Sequence, residues 1–200
     1  MPSPRRKPDQ YARRRAYVRS KAGRREGEID AAKDFVMRYG PNGNIGEYRR
    51  NLEKIQRDHG VNFRKKVGTL KARFPKQRIE ILNEGCGESS FAAELASEKG
   101  IRITNSDLVD RHSQPNFHKV SVHDLARRFG KNRFHLVVST RGGVDWGGDS
   151  RSSLSNIYEI LKPGGEAYIT QTWNFEYLLE VASSLGIPAK LSGTGIKMRK

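Results

Sequence analysis

The sequence has a single cysteine, Cys86, in 200 residues. That excludes an internal disulfide framework and any zinc site built from several cysteines. His112, His118, His123 and His135 do not fall at zinc-ligand spacing, so no metal is expected. No apolar run approaches the roughly 18–20 residues that cross a bilayer, which excludes a transmembrane helix. Hydrophobic residues make up 35% of the chain, enough for one modest core with an extension but not for two full domains. The Gly-Lys-Ser/Thr of a Walker loop is absent, so a triphosphate cradle is disfavoured.

Acidic residues are scarce in one part of the chain only. Residues 1–75 carry 21 lysines and arginines against 8 acids, a net charge of +13. Residues 76–200 carry 17 against 14, a net of +3. The whole-chain charge of +16 therefore belongs almost entirely to the first third. Within it, residues 1–27 hold ten lysines and arginines and too little apolar surface to offset the entropy of ordering, so a disordered arm is expected. No apolar stretch of a secretory signal follows these arginines, and a cytoplasmic location is expected. Because the arm is Arg-rich and acid-poor, a mitochondrial transit peptide is the alternative.

Residues 28–75 read as a basic helical extension. Ile29, Ala32, Phe35, Val36 and Tyr39 recur at helical spacing before Gly40-Pro41 stops them. A second helix is expected over 45–59, with Ile45, Tyr48, Leu52 and Ile55 along one side. A third is expected over 61–74, with Phe63, Val67, Leu70 and Phe74, ending at Pro75. Their apolar faces should dock on the domain that follows and leave the cations outward. Three successive basic segments of one sign point to a nucleic-acid partner, RNA favoured, bound through residues 1–75; no membrane partner is expected.

The 76–200 domain opens with a short β-branched strand, R-I-E-I-L-N at 78–83. Glu84-Gly85-Cys86-Gly87-Glu88-Ser89-Ser90 follows, then a helix over 91–99. Glycines in such a turn let the chain reverse sharply and let a ligand approach the backbone, while N–H groups at the helix start face it. A second strand over 101–105 places Asp107 just past its end. A carboxylate there can accept both hydroxyls of a ribose. Gly85 and Asp107 are 22 residues apart, near the roughly 20 expected of a nucleoside-binding strand–helix–strand unit. Ser90 stands where the dinucleotide fingerprint has a third glycine or alanine, so that fingerprint is incomplete.

Further strands are expected over 117–122, 134–139 and 166–170. Helices are expected from 125 to 129, over 154–161 closed by Lys162-Pro163-Gly164-Gly165, and over 175–185. A hairpin is expected from 190–192 and 196–198 around Gly193–Gly195. His135, on a buried strand, should have a local hydrogen-bond partner.

With these elements in this order, the chain resembles the class I S-adenosylmethionine-dependent methyltransferases. The residues that carry the resemblance are I-L-N-E-G-C-G-E-S-S-F at 81–91, Asp107, H-D-L at 123–125, F-H-L-V-V-S at 134–139 and L-K-P-G-G-E-A-Y-I-T at 161–170. The resemblance implies an α/β, Rossmann-like doubly wound sheet, mostly parallel, with a C-terminal antiparallel hairpin, and S-adenosyl-L-methionine as cofactor. It implies that Gly85 and Gly87 turn against the methionine end of the cofactor and that Asp107 binds the ribose hydroxyls. Asp124 or the backbone around His123 would meet the adenine amino group, and Ser139 would close the site. Three departures stand out. Asn83 replaces the family's acid, which leaves Glu84 to take over that role. Ser89 replaces its third glycine and is tolerable if the hydroxyl caps the helix. The 108–116 segment is too short for the usual helix.

The acceptor is expected beyond the fourth strand, where Asp145 and Trp146 are the candidates, Trp146 as a stacking face and Asp145 as an orienting group or base. The Asn/Asp-Pro-Pro-aromatic motif of amino-directed base methyltransferases is absent, as are the paired cysteines of carbon-5 pyrimidine enzymes. Methyl transfer to RNA or a ribonucleoprotein is the expected activity. The alternatives are a small-molecule methyltransferase and a non-catalytic, methyltransferase-like RNA- or ribosome-binding module.

Overall fold

The computed structural model describes residues 51–87, 89–108, 114–146, 149–170 and 175–200, with the backbone alone at 145 and 146. The arm expected over 1–27, the helix expected after it and the start of the second helix lie outside the described residues.

The hexapeptide Ile79–Glu84 forms β1, and every one of its residues is buried. Such a strand needs a neighbour on each edge and a layer on each face. It has all four. β2 (Ile101–Asp107) and β4 (Phe134–Thr140) flank it in parallel, pairing Ile81 with Ile103 and with Leu136. β3 (Phe117–Lys119) adds outside β2, and β5 (Leu161–Thr170) outside β4. The hairpin β6 (Ala189–Ser192) and β7 (Gly195–Arg199) completes a sheet of order β3-β2-β1-β4-β5-β7-β6, with β7 antiparallel to both neighbours. This is the doubly wound, mostly parallel sheet with an antiparallel C-terminal hairpin that the sequence leads one to expect.

Alternation along the strands assigns side chains to two layers. Ile79, Ile81, Leu136 and Val138 join a core with α1 (Leu52–His59), α2 (Phe63–Arg73) and α3 (Phe91–Leu95). Leu82, Val137, Ala167 and Ile169 join the opposite core with α4 (Leu125–Phe129), α6 (Ser150–Ile160) and α7 (Phe175–Ser184). Short α5 (Gly143–Trp146) follows β4. Among the described residues no helix is long and apolar enough to cross a membrane.

The apolar faces of α1 and the basic α2 dock on the sheet as expected, but the cations do not all stay outward, because Lys66 turns in to Glu166. Asn51 and Asn62 cap their N-termini by accepting from the Lys54 and Lys65 amides, and Leu52, Ile55, Phe63, Val67 and Leu70 are buried. Polar contacts secure the same docking. The buried Glu166 carboxylate meets Lys66 at 2.9 Å, Lys197 at 3.0 Å and Arg73 at 3.4 Å, and accepts from the Tyr168 hydroxyl at 3.0 Å. Burial alone raises the Glu166 pKa, but hydrogen bonds from Lys66 and Lys197, with their charges, outweigh it and hold it at about 2. Burial, then the same carboxylate, raises the Tyr168 pKa.

Several boundaries differ from the sequence reading: the helix expected over 91–99 ends at Leu95, and β2 runs on to include Asp107. β5 begins at Leu161 and takes in Lys162-Pro163-Gly164-Gly165, because Leu161 pairs with Phe134 before an irregularity after which Glu166 pairs with Leu136. Proline fits at such an interruption, where no ladder N–H is needed. β3 stops at Lys119, because the Ser121 hydroxyl accepts from the His123 amide and starts a 3-10 turn at Val122–Asp124. The helix expected to begin at 154 begins at Ser150, where the Asp149 side chain accepts from the Ser152 amide. His135 has the local partners expected of it. Its Nδ1 accepts from the Glu80 amide at 2.9 Å, so its Nε2 donates to Gln77 at 3.0 Å. Burial, then the charge of Lys162, lowers its pKa to about 4.

Candidate functional site

Strand order reverses between β1 and β4, and ligands of open α/β sheets collect in the crevice at the carboxyl ends of strands where that happens. The residues there are Glu84 and Gly85 from β1 and its turn, Ser139 and Thr140 from β4, and Asp107 from β2. Gly85 turns the chain with φ of 61°. A Cβ at this position would collide with Gly142 Cα, so the turn after β1 and the loop after β4 touch backbone to backbone.

Glu84 ties these two loops together. It is 4% exposed, and its carboxylate accepts from the Ser139 hydroxyl at 2.5 Å and from the Gly143 amide at 2.9 Å. Gly142 and Gly143 are glycines because of it. A Cβ on Gly143 would lie 2.7 Å from Glu84 Oε1, and one on Gly142 would lie 2.9 Å from the Glu84 carbonyl oxygen. The expected cofactor contact Ser139 is fully buried and directed at Glu84. The carboxylate that sequence reasoning gave to the cofactor thus braces the floor of the crevice.

A second knot joins the glycine turn to β2. Asp107, the last residue of β2, is half-buried and accepts from the Gly87 amide at 2.9 Å. Gly87, like Gly85, has positive φ. The Cys86 amide bonds to the Ser106 carbonyl at 3.0 Å. The Ser89 hydroxyl accepts from the Phe91 amide at 3.1 Å, a local turn that satisfies the first N–H of α3, whereas the N-cap residue itself is Ser90 and makes no side-chain capping bond.

The two departures at Asn83 and 108–116 have a common physical reason. Asn83 Nδ2 donates to Asn105 Oδ1 at 2.9 Å, and Asn105 Nδ2 donates to the Pro115 carbonyl at 2.7 Å. Asn116 holds the Ile103 carbonyl, and Gln114 holds the Gly87 and Ser89 carbonyls. A carboxylate at 83 would need the donor that Asn105 gives to Pro115. Asn83 supplies a donor instead, and the short connection is fastened by side-chain amides. Sequence reasoning missed Asn105, Gln114 and Asn116, whose signal was only that a short polar segment must be tied down.

Asp124 ends the 3-10 turn, half-buried, and pairs with Arg127 at 3.2 Å without capping the next helix. It lines a cleft of about 440 Å³ with Leu108, Lys119, Val120, Ser121, Arg127 and Arg128. Leu108 follows Asp107 directly in the chain, and Lys119 pairs with Asp107 across the β2–β3 ladder, so the cleft lies next to the tip of β2. Asp145 and Trp146 fall on α5, two and three residues past the Glu84-bound Gly143, and their side chains lie outside the described residues. His59, which the sequence did not single out, is fully buried and pairs through Nε2 with Thr140 Oγ1 at 2.8 Å, tying α1 to the end of β4. Among the described residues no group of three or more His, Cys, Asp or Glu could hold a metal ion.

The arrangement offers a partly exposed carboxylate, Asp107, beside a sharp glycine turn, and a second carboxylate, Asp124, in a neighbouring cleft. This is the chemistry of a nucleoside site without a phosphate cradle.

No protein-family model matches the chain. It is 31% identical over 121 residues to demethylmenaquinone methyltransferase of Chlorobaculum parvum, covering 55% of this chain and 49% of that protein. The chain spans about half the length of the curated relatives it matches. Among solved structures, the CurJ carbon methyltransferase superposes with a TM-score of 0.54 at 13% identity, over 95% of this chain and 68% of that one. The 1,6-didemethyltoxoflavin-N1-methyltransferase of Burkholderia thailandensis, solved with 1,6-didemethyltoxoflavin and S-adenosylhomocysteine, superposes with a TM-score of 0.50 at 18% identity, over 100% and 93%. The chain has the fold of the class I S-adenosylmethionine-dependent methyltransferases.

Proposed function

We propose that the chain transfers a methyl group from S-adenosylmethionine to an RNA or ribonucleoprotein acceptor. The observation that carries the cofactor is the knot of Gly85, Gly87 and Asp107 at the point where strand order reverses. The donor, when bound, supplies a methyl group already activated on a sulfonium sulfur, so the protein's work is alignment and the disposal of a proton. Asp107 accepts the ribose hydroxyls, and its bond to the Gly87 amide fixes its orientation beforehand. Gly85 and Gly87 admit the ligand close to the backbone. Asp124 faces the adenine amino group across the cleft. Glu84 keeps Ser139 and the start of α5 in place, and so positions the segment that bears Asp145 and Trp146, the candidates for the acceptor side.

The RNA acceptor is supported by the +13 charge of residues 1–75. A second reading, a small-molecule acceptor, is favoured by the curated relatives, which are named for demethylmenaquinone. Incubating the full chain with methyl-tritiated S-adenosylmethionine and total cellular RNA, and in parallel with demethylmenaquinone in detergent micelles, separates them. Label released by ribonuclease is the expected result. Label in the quinone moves the acceptor to the second reading, and label in neither contradicts both.

A further inference from the structure

The cleft beside Asp107 carries more positive charge than an adenosine needs. Three cations line it, Lys119, Arg127 and Arg128, all exposed at its mouth, against Asp124 alone. Arg127 is engaged with Asp124. Among the described residues no carboxylate pairs with Lys119 or Arg128, nor with Arg102 on the adjoining β2.

Arg128 is also held in place. Its Nη2 donates to His118 Nδ1 at 2.9 Å, and the His118 ring stands edge-on to Phe129 with centroids 5.2 Å apart. Burial, then the charges of Arg128 and Arg102, lowers the His118 pKa, so the ring stays a neutral acceptor that orients the guanidinium without competing for an anion. A guanidinium fixed by one N–H keeps its others for a ligand, and its fork suits phosphate oxygens. Lys119 adds a second charge from β3, directly across the ladder from Asp107. β3 is the outermost strand of the sheet, so these groups line an open edge along which a chain can run.

We infer that the cationic mouth of this cleft, Lys119 with the His118-held Arg128, binds the phosphodiester backbone of the nucleic-acid acceptor. The inference rests on the RNA reading above and deepens it. It places one anchor for the acceptor on the domain itself, beside the cofactor crevice, in addition to the charge of residues 1–75. S-adenosylmethionine carries no phosphate, so these cations are surplus to the cofactor.

The test is fluorescence anisotropy of a labelled 20-nucleotide single-stranded RNA against the full-length protein between 50 and 200 mM NaCl. The double variant Lys119→Gln/Arg128→Gln is compared with Lys190→Gln/Arg199→Gln, which removes the same charge from exposed positions at the opposite edge of the sheet. Each phosphate contact on a single strand adds about 0.7 to the slope of log affinity against log salt, so the cleft variant is expected to lose about 1.4 and the control much less. Equal losses in the two variants, an unchanged slope in the first, or no RNA binding by the unaltered chain overturns the inference. S-adenosylmethionine titrated into the same preparations keeps the two readings apart. Cofactor binding with equal RNA losses overturns the phosphate surface alone, whereas a selective RNA loss without cofactor binding overturns the methyl-donor reading alone.

Discussion

Replacing Glu166 by glutamine is expected to destabilise the fold by about 3 kcal/mol, the cost of leaving the partly buried Lys66 and Lys197 without the buried carboxylate that neutralises them. The isosteric amide can still accept from Tyr168, but it no longer neutralises Lys66, Lys197 and Arg73. For a chain of this size the loss corresponds to a fall in Tm of roughly 6–12 °C. The pH dependence has a definite sign. The folded-state pKa is about 2 against an ordinary value of 4.5, so the stabilisation is fully present above pH 4.5 and is lost as pH falls from there toward 2. Glu166→Gln should remove that acid-induced decline. His135 contributes a separate one, because a base with its pKa lowered from 6.5 to about 4 loses stabilising effect as pH falls through that interval, and the variant should keep this part. Thermal denaturation of the full chain from pH 7 to pH 3 reads both. A change below about 1 kcal/mol at pH 7 would show that Glu166 is not what fastens the basic helix α2 to the sheet.

Gly85→Ala is expected to be the most damaging small substitution at the site. Two costs add. An alanine at φ 61° is strained by about 1–2 kcal/mol, and its methyl would overlap the Gly142 backbone. Backbone cannot rotate away as a side chain can, and the loop holding Gly142 is pinned by Glu84 through Ser139 and Gly143. Either the turn after β1 or the loop after β4 must move, at about 3 kcal/mol in total and with a loss of cofactor affinity of more than tenfold. Gly186→Ala is the control. Its φ is 67°, close to that of Gly85, but nothing lies within 4 Å of the added methyl, so the strain alone remains. Urea denaturation of the two variants should differ by at least about 1 kcal/mol in favour of Gly186→Ala; equal stabilities would show that the Gly85–Gly142 contact yields easily.

The run from β1 through the glycine turn to Asp107 was legible in the sequence because few alternatives exist for it. A six-residue β-branched segment, a Gly-x-Gly and a helix at that spacing force one local geometry, and the 22 residues from Gly85 to Asp107 fix which strand end carries the acid. The docking of α1 and α2 was legible from Leu52, Ile55, Phe63, Val67 and Leu70, whose helical spacing requires an apolar partner. The partners of polar groups were not legible, because they come from far along the chain. Ser139 lies 55 residues from Glu84, Gly143 lies 59, and Thr140 lies 81 from His59. Local pattern gives a carboxylate at a strand tip two equal readings, ligand contact or internal brace, and only the fold separates them: Glu84 braces, whereas Asp107 stays half-exposed. The start of β5 was misplaced for a related reason. Proline and two glycines signal a turn locally, while the pairing of Leu161 with Phe134 is a property of the assembled sheet.

On the function proposed above, the crevice at the tips of β1 and β2 binds S-adenosylmethionine through Asp107. Isothermal titration of S-adenosylmethionine and S-adenosylhomocysteine into the full-length chain, and into Asp107→Ala, tests it most directly. Micromolar binding of both ligands by the unaltered chain, weakened at least tenfold in Asp107→Ala while that variant still unfolds cooperatively, is the predicted result. No detectable binding at millimolar ligand, or equal affinity in the two proteins, would contradict it.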